Sequence, residues 1–424
     1  MRLIYCLLGF VFCSSAVFAQ TQPVIRCGTM QALERRLKED PSLKDRINAK
    51  RAEALARMPQ YKQSQTTTDT SELIIPVVVH VVYHASVENI SDAQVESQID
   101  ILNQDFGREN ADSVNTPSPF VTVAGRMKIR FQLANVDPWG ASTTGITRTY
   151  TSRTTGFYDD DSVKFTNRRG TDAWPTKSYM NLWVCKMEAN LLGYGQFPDV
   201  PDTLTDGVVI NYECFGNTGT VLPPFNKGRT LTHELGHWLN LYHTWGDSFC
   251  GDDFVDDTPV QQSASFGCPT FPHYSCGNDT SGLHSGDMFT NYMDYSDDAC
   301  MNIFTKGQVE RMLSAFNTYR IKLKDSKGLG IYSLNNREIA HLTIYPNPLS
   351  GSQLNVVISS PVVANAKIVI TDVIGIKVFE SNLSTGSGSE LVSIQIPHLA
   401  MGLYNLQLIQ GQSLIGYSKL VIKD

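Results

Sequence analysis

The sequence lacks the features that mark integral membrane proteins and nucleic-acid-binding proteins. Beyond the first nineteen residues, no segment of the 424-residue chain is apolar enough to cross a bilayer. The formal net charge is -7 and no basic patch with interleaved aromatic residues occurs, so we expect no nucleic-acid partner. Internal repeats are also absent, whereas 42% of the residues are hydrophobic, which is enough for packed globular cores.

The first nineteen residues are typical of a secretory signal peptide. Arg2 supplies the positive start, residues 3–12 the apolar run, and Val17-Phe18-Ala19 the cleavage signal. The apolar run is too short to anchor the chain in a bilayer. We therefore expect an exported protein that is not integral to a membrane.

The most informative motif places three histidines and a glutamate within eleven residues. His233 and His237 are four residues apart and share one face of a helix. His243 can join them only if the helix stops and the chain turns back, and Asn240 tolerates the left-handed conformation that such a stop needs. Three neutral imidazoles leave one position of a tetrahedral zinc ion open for water, as in catalytic zinc sites. Glu234 could hold and deprotonate that water.

A second marker follows about fifty residues later, in the sequence NYMDYSDDACMNIFT (residues 291–305). Met293 matches the tight turn that lies beneath the zinc-binding imidazoles in metzincins. Taken with HELGHWLNLYHTWG (residues 233–246), this stretch resembles the pappalysin family of metzincins, and the resemblance spans roughly residues 74–316. It includes LGYGQFP (residues 192–198), which resembles the family's substrate-binding edge strand. Asn240 departs from the Gly that metzincins usually have there.

The resemblance implies a fold and an activity. The fold would be an α/β catalytic domain, with a mixed twisted sheet plus helices and an irregular C-terminal subdomain. The activity would be that of a secreted zinc endopeptidase acting on proteins or peptides. Tyr295 would hydrogen-bond the tetrahedral intermediate, although it could simply be a packed aromatic. Asp298 would lie at the base of the S1′ pocket and favour Arg or Lys at P1′, with Asp297 as the alternative.

Seven cysteines remain after removal of the signal peptide, an odd number for an exported protein. Sequence alone permits three connectivities for Cys250, Cys268, Cys276 and Cys300. The family resemblance implies the pairs Cys250–Cys276 and Cys268–Cys300. Cys185 and Cys214 could pair or stay reduced.

Cys27 is the candidate odd thiol. It lies in Arg26-Cys27-Gly28, within a basic segment (residues 20–59) that we expect to have no globular core. A thiolate is a strong zinc ligand, so Cys27 could displace the catalytic water in a cysteine-switch zymogen. The alternative is a disulfide partner or an idle thiol. Activation would require cleavage of the segment, near Arg46, Arg51 or Arg57.

An acidic loop follows the zinc motif. Oxygen-rich clusters suit calcium, and the resemblance implies a structural Ca²⁺ site in this region. The spacing does not match an EF-hand, and a solvated acidic loop is the alternative. The acids are Asp247, Asp252, Asp253, Asp256 and Asp257.

After residue 330 the sequence changes to short alternating strands separated by turns, which predicts a small all-β sandwich. YPNP (345–348), GLY (402–404) and KLVIK (419–423) resemble a type IX secretion sorting domain. The alternative is a carbohydrate-binding module, but no aromatic platform is evident. We expect passage through the periplasm and across the outer membrane by the type IX machinery, to the medium or the cell surface.

These divisions predict a signal peptide (1–19), a prosegment (20–59), a catalytic domain (60–330) and a sorting domain (331–424). Two other functions remain open. A metal-dependent hydrolase of non-peptide amides would use the same histidines and Glu234. A surface adhesin could keep a vestigial metal site without activity. The intact ligands, base, tyrosine and thiol favour the endopeptidase.

Overall fold

A computed structural model describes residues 23–64, 72–200, 204–276, 286–330, 341–359, 366–372, 376–383, 390–410 and 413–423. The predicted signal peptide and Thr66–Ser71 lie outside these residues. Within the described part of the chain, no helix combines the length and apolar character that a membrane crossing requires.

The described residues form six α-helices and thirteen β-strands. The helices are α1 (Thr29–Glu39), α2 (Leu43–Ser64), α3 (Asp92–Gly107), α4 (Ser118–Val121), α5 (Arg229–Trp238) and α6 (Lys306–Ala315). The first six strands are β1 (Leu73–Tyr83), β2 (Ile129–Leu133), β3 (Ile146–Tyr150), β4 (Met180–Cys185), β5 (Gly193–Gly195) and β6 (Val208–Asn211). The other strands are β7 (His341–Tyr345), β8 (Gln353–Ser359), β9 (Ala366–Thr371), β10 (Lys377–Asn382), β11 (Glu390–Gln395), β12 (Gly402–Gln410) and β13 (Ser413–Ile422).

The first six strands form one mixed sheet in the order β2-β1-β4-β6-β5, with β3 paired to the second half of β1. Strand β1 is apolar almost throughout because both of its faces are covered. Val77 and Val79 face the main core, whereas Val78 packs with Ala134 and Tyr179 on the other face. The last strand, β5, runs antiparallel to β6 and forms the edge of the sheet.

Helices α3 and α5 cover the main core of this sheet. Ser91 caps α3, because its hydroxyl accepts a hydrogen bond from the backbone N–H of Gln94 at 3.1 Å. Apolar residues from α3 and α5, including Leu102, Leu231 and Leu235, share one buried cluster with the strands. The helix that carries the HExxH motif is therefore fixed against the sheet. Between α5 and α6 the described residues form neither an α-helix nor a strand of the sheet, which is the expected irregular subdomain.

Within the described residues, the basic segment before β1 forms two helices but no core of its own, as the sequence predicts. Leu33 of α1 and Leu43 and Ile47 of α2 are buried against apolar residues of the later chain, including Phe197 and Tyr242. Half of this shared core therefore belongs to the part of the chain that the segment covers. Helix α2 also continues past residue 59, where the sequence places the end of the prosegment.

The C-terminal region forms two antiparallel sheets around a common core. One sheet has the order β10-β9-β12-β13 and the other the order β11-β8-β7. Leu354, Ile368 and Leu406 are fully buried between them, in agreement with the predicted sandwich. Strands β10 and β11 give weak sequence signals, because most of their side chains are polar or solvent-exposed.

Candidate metal centre

Helix α5 and the turn after it bring three imidazoles together. Asn240 has a φ of 77°, the left-handed conformation expected from its side chain, and the turn reverses the chain toward His243. The Nε2 atom of His237 lies 3.2 Å from that of His233 and 3.1 Å from that of His243. All three histidines are buried.

Each imidazole is oriented through its other nitrogen. The Nδ1 atom of His233 lies 2.7 Å from the carbonyl oxygen of Tyr292, and that of His237 lies 2.8 Å from the carbonyl oxygen of Leu241. The Nδ1 atom of His243 lies 2.5 Å from Oδ1 of Asp247. Carbonyl oxygens only accept hydrogen bonds, so Nδ1 of His233 and His237 carries the proton. Their Nε2 lone pairs therefore point toward one another.

This arrangement fits a metal ion. Burial and the neighbouring imidazoles lower the pKa of His233 and His237 well below the ordinary value, which keeps both rings neutral, as metal ligation requires. Lone pairs at this separation repel each other unless a cation lies between them. The Sγ atom of Cys27 completes a buried set of four donor atoms, all within 4.8 Å of one another. Three imidazoles and a sulfur are ligands that suit zinc.

Residues of the basic N-terminal segment also contact Glu234, which follows the first histidine. The thiol of Cys27 lies 3.4 Å from Oε2 of Glu234, and the hydroxyl of Thr29 donates to the same oxygen at 2.8 Å. The Thr29 hydroxyl also accepts a hydrogen bond from the backbone N–H of Gly195, in the edge strand, at 2.8 Å. Burial raises the pKa of Glu234 to about 7. Burial and the nearby Glu234 raise the pKa of the Cys27 thiol well above its usual value.

Arg26 enters a buried pocket beside the imidazoles. Its guanidinium donates to the backbone oxygen of Ser296 at 2.7 Å and lies 4.0 Å from Oδ1 of Asp298. The Phe225 ring packs against the guanidinium, 4.2 Å from its carbon. Asp298 is fully buried, whereas Asp297 is half-buried. Of the two neighbouring carboxylates, Asp298 is the one that forms this ion pair.

The same N-terminal segment follows the edge of the sheet. Ile25 pairs in parallel with Leu191, and the backbone N–H of Leu192 donates to the carbonyl of Ile25 at 3.0 Å. The N–H of Gly28 donates to the carbonyl of Gly193 at 2.8 Å. The segment therefore occupies backbone groups of the edge strand that an extended peptide would use.

Met293 and Tyr295 lie on either side of the histidine cluster. Met293 is fully buried, and its sulfur occupies the space that a Cβ on Gly236 would need. The Tyr295 ring centroid is 5.6 Å from that of His233 and 5.0 Å from that of His243. Burial, with Cys27 and Glu234 nearby, raises the pKa of Tyr295, so its hydroxyl remains a hydrogen-bond donor.

Two disulfides have the pairing that the family resemblance implies. They join Cys250 to Cys276 and Cys268 to Cys300, with Cα–Cα distances of 6.1 and 5.8 Å. Cys27, Cys185 and Cys214 are buried free thiols, so Cys185 and Cys214 do not pair with each other.

The acidic loop shows no comparable cluster. Among the described residues, the Cys27 and histidine group is the one set of three or more His, Cys, Asp or Glu side chains that meets as metal ligands do. Asp247 instead bonds His243, Asp253 accepts from Thr258 at 2.7 Å, and Asp257 accepts from the N–H of Gly307 at 2.8 Å. Calcium binding stays a prediction.

Sequence reasoning missed two groups at this centre. Asp247 lies four residues after His243, and this spacing was a usable signal for a carboxylate that orients the imidazole. Thr29 gave no signal, because its contact with Glu234 joins residues 205 positions apart.

Comparisons with known proteins agree with this geometry. The family model described as pregnancy-associated plasma protein-A, a peptidase family, matches residues 165–317, and the secretion system C-terminal sorting domain model matches residues 343–423. The chain is 32% identical to an extracellular metalloprotease of Pyricularia oryzae over 72% of this chain and 93% of that protein. A second such metalloprotease, from Verticillium alfalfae, is 32% identical over 58% of this chain and 80% of its own length.

Two solved structures from Tannerella forsythia are also similar. Mature mirolysin in complex with a cleaved peptide is 52% identical, with a TM-score of 0.58, over 60% of this chain and 96% of that one. A promirolysin mutant is 47% identical, with a TM-score of 0.62, over 72% of this chain and 97% of that one.

The fold, the histidine cluster and these similarities define a secreted metalloprotease that has a zymogen form. Within that class, the chain belongs to the pappalysin family of metallopeptidases, and its C-terminal region is a secretion sorting domain.

Proposed function

We propose that this metalloprotease is a zinc endopeptidase that cleaves before Arg or Lys and is held latent by Arg26, Cys27 and Thr29. The observation that carries the proposal is the convergence of three imidazole nitrogens, Glu234 and a prosegment thiol at one buried point. His233, His237 and His243 would hold the zinc ion. Bound there, zinc would polarise the scissile carbonyl and lower the pKa of a water molecule.

Glu234 and Tyr295 are the proposed catalytic side chains. Glu234 would take a proton from the attacking water and pass it to the leaving amine. A carboxylate held within reach of the attacking water can serve first as base and then as acid in these two transfers. Tyr295, which keeps its proton, would donate a hydrogen bond to the oxyanion that develops on the substrate. Met293 would support the imidazoles from below.

Glu234→Gln tests the assignment of the base. This change should abolish cleavage of peptides and casein by the processed enzyme while leaving the zinc content near one per chain. Activity on small amides but not on casein or peptides would instead favour a non-peptide amidase. Unchanged proteolysis in Glu234→Gln would contradict the proposed mechanism.

Latency would combine three contacts from the prosegment. The Cys27 thiol would lose its proton to bind zinc, since a neighbouring cation stabilises a thiolate, and would exclude the attacking water. Thr29 would hold the Glu234 carboxylate, and Arg26 would fill the specificity pocket. In a substrate, the residue nearest the zinc (P1) comes before the P1′ residue that fills the specificity pocket. In the prosegment the order is reversed, because Cys27 at the zinc comes after Arg26 in the pocket. The prosegment therefore runs in the opposite direction to a substrate and does not present a peptide bond for attack.

The Cys27→Ala zymogen tests the proposed switch, with Cys185→Ala as the control for loss of a buried thiol. We expect Cys27→Ala to hydrolyse peptides before any prosegment cleavage and Cys185→Ala to remain latent. Full latency of a folded, zinc-loaded Cys27→Ala protein would show that the thiol is idle.

The proposed preference for basic P1′ residues rests on Asp298. A substrate arginine in place of Arg26 would meet the same carboxylate and the Ser296 carbonyl. Hydrogen bonds to charged groups contribute about 1.5–3 kcal/mol. Asp298→Asn should therefore lower kcat/KM for P1′ Arg peptides by about 10- to 100-fold relative to P1′ Ala peptides. Asp297→Asn is the matched control, and an equal loss in both variants would contradict the assignment.

The domain limits and the calcium ion belong to the same proposal. A prosegment of residues 20–59, a catalytic domain of 60–330 and a sorting domain of 331–424 would be separated by cleavage during export and activation. Arg46 and Arg51 lie within α2, so cleavage beside either would first require that helix to unwind locally. Calcium would bind the acidic loop that contains Asp247, Asp252, Asp253, Asp256 and Asp257. A calcium-dependent rise in Tm of zinc-loaded protein would support that site.

Export through the type IX machinery would depend on the sorting domain. Deleting residues 331–424 should leave the protease in the periplasm of a host that has this machinery. Release of the truncated protein at the normal level would contradict the proposed route.

A further inference from the structure

We propose that Asp161 and Thr205 form a second specificity subsite, on the non-primed side of the cleft, which binds a basic substrate side chain after the prosegment leaves. This inference rests on the proposed function, since it takes the Asp298 pocket as S1′.

The prosegment's Arg36 already occupies this subsite. Its guanidinium lies 2.6 Å from Oδ2 of Asp161 and 2.8 Å from the hydroxyl oxygen of Thr205. Both partners are nine-tenths buried, with relative exposures of 7% and 3%. Two buried acceptors from the catalytic region therefore converge on one guanidinium.

Residues of the catalytic region hold Asp161 and Thr205 in place without contacts from the prosegment. The buried ammonium of Lys164 lies 2.8 Å from Oδ1 of Asp161 and donates to the backbone oxygen of Thr205 at 2.7 Å. The Thr205 hydroxyl donates to Oε1 of Gln196 at 2.7 Å. Removal of the prosegment would take Arg36 out of the subsite and leave these contacts intact. The subsite should therefore already have its binding geometry in the processed enzyme before substrate arrives.

Charge at this surface also favours a cation. Asp159, Asp160 and Asp161 are consecutive, and Lys164 pairs with the last of them. In the zymogen a second prosegment residue, Arg35, lies 3.0 Å from Asp159. Removal of the prosegment takes away Arg35 and Arg36 together and leaves the three carboxylates facing Lys164 and the exposed Arg168.

The position along the cleft follows from the prosegment. Arg26 lies beside Asp298 and Thr29 contacts Glu234. Helix α1 then continues to Arg36, whose partner Thr205 bonds Gln196, the residue after the edge strand. Arg36 is seven positions after Thr29 in this helix, which corresponds to a rise of about 10 Å. An extended substrate covers that distance in about three residues, which corresponds to P3 or P4.

The site also has room for a longer side chain or a shifted backbone. A cavity of about 530 Å³ lies beside the Arg36 guanidinium, between the prosegment and the catalytic region. Asp161, Phe165, Val200 and Thr205 are among the residues that line it.

The test uses the processed enzyme and paired peptides with P1′ Arg that differ only by Arg or norleucine at P3 or P4. We expect wild-type kcat/KM to favour Arg at one of these positions about tenfold or more, the factor that one hydrogen-bonded charge pair supplies. Asp161→Asn should remove most of this preference. Thr205→Val, which keeps every charge and the Asp161–Lys164 pair, should reduce it. Asp160→Asn, an equal change in charge at a neighbouring exposed residue, should reduce it least.

The outcomes separate this inference from the proposed function. Normal cleavage before P1′ Arg with no preference at P3 or P4 would overturn the subsite alone. Equal losses in Asp160→Asn and Asp161→Asn would also overturn it, because they would indicate diffuse surface charge. Failure of the wild type to cleave any peptide would refute the proposed function, and the subsite with it.

Discussion

Gly236 lies at the centre of the HExxH helix, and its lack of a side chain makes room for Met293. A Cβ at this position would overlap the Met293 sulfur, and Met293 is fully buried beneath α5. We predict that Gly236→Ala destabilises the zymogen. Overpacking of a core costs about 1–3 kcal/mol. The usual gain from replacing a helical Gly by Ala is only about 0.5–1 kcal/mol.

The same change should weaken the metal site. Met293 follows Tyr292, whose carbonyl orients the imidazole of His233. Any shift of this turn away from α5 therefore moves a ligand. We expect Gly236→Ala to lower both the free energy of unfolding and the zinc content after dialysis.

Gly107→Ala is the matched control, because Gly107 is also helical and the nearest atoms to a Cβ there belong to the Glu109 side chain, at 3.4 Å or more. It should be neutral or stabilising by up to about 1 kcal/mol. The double variant Gly236→Ala/Met293→Ala should be less destabilised than the sum of the two single changes. If Gly236→Ala is as stable as Gly107→Ala and retains full zinc, this reasoning is refuted.

Two further predictions concern the backbone turn and a buried histidine. Asn240→Ala should cost about 1–2 kcal/mol because Asn240 has a positive φ, whereas Asn240→Gly should be near neutral by thermal unfolding. Burial lowers the pKa of His80 to about 4, so below pH 6.5 the unfolded chain binds a proton that the native state does not. This residue should therefore reduce stability by about 2 kcal/mol as the pH falls from 7 to 5. His80→Gln should remove that part of the pH dependence, and an identical dependence in both proteins would contradict it.

The parts of the fold that were predictable from sequence carry strong local signals. Strand β1 has a continuous β-branched run because both of its faces are buried. The HExxH helix and the left-handed Asn240 were both expected from residue chemistry. Strand β3 gives no clear sequence signal, because its residues are largely half-exposed and do not alternate between apolar and polar.

The parts that could not be predicted depend on contacts between distant segments. In the sequence, the apolar residues of the basic segment are scattered and predict no core. The structure shows that Leu33, Leu43 and Ile47 pack with Phe197 and Tyr242, which lie far along the chain. The role of Arg26 could not be predicted either, because its ion-pair partner Asp298 is 272 residues away in the sequence.

X-ray absorption spectroscopy of the purified zymogen at the zinc edge would identify the ligands of the metal centre. We expect one zinc per chain with three nitrogen ligands at about 2.0–2.1 Å and one sulfur at about 2.3 Å. The sulfur signal should disappear after activation or in Cys27→Ala, while the nitrogen shell remains. A folded zymogen without stoichiometric metal, or with zinc held by a shell other than three imidazoles, would contradict the account.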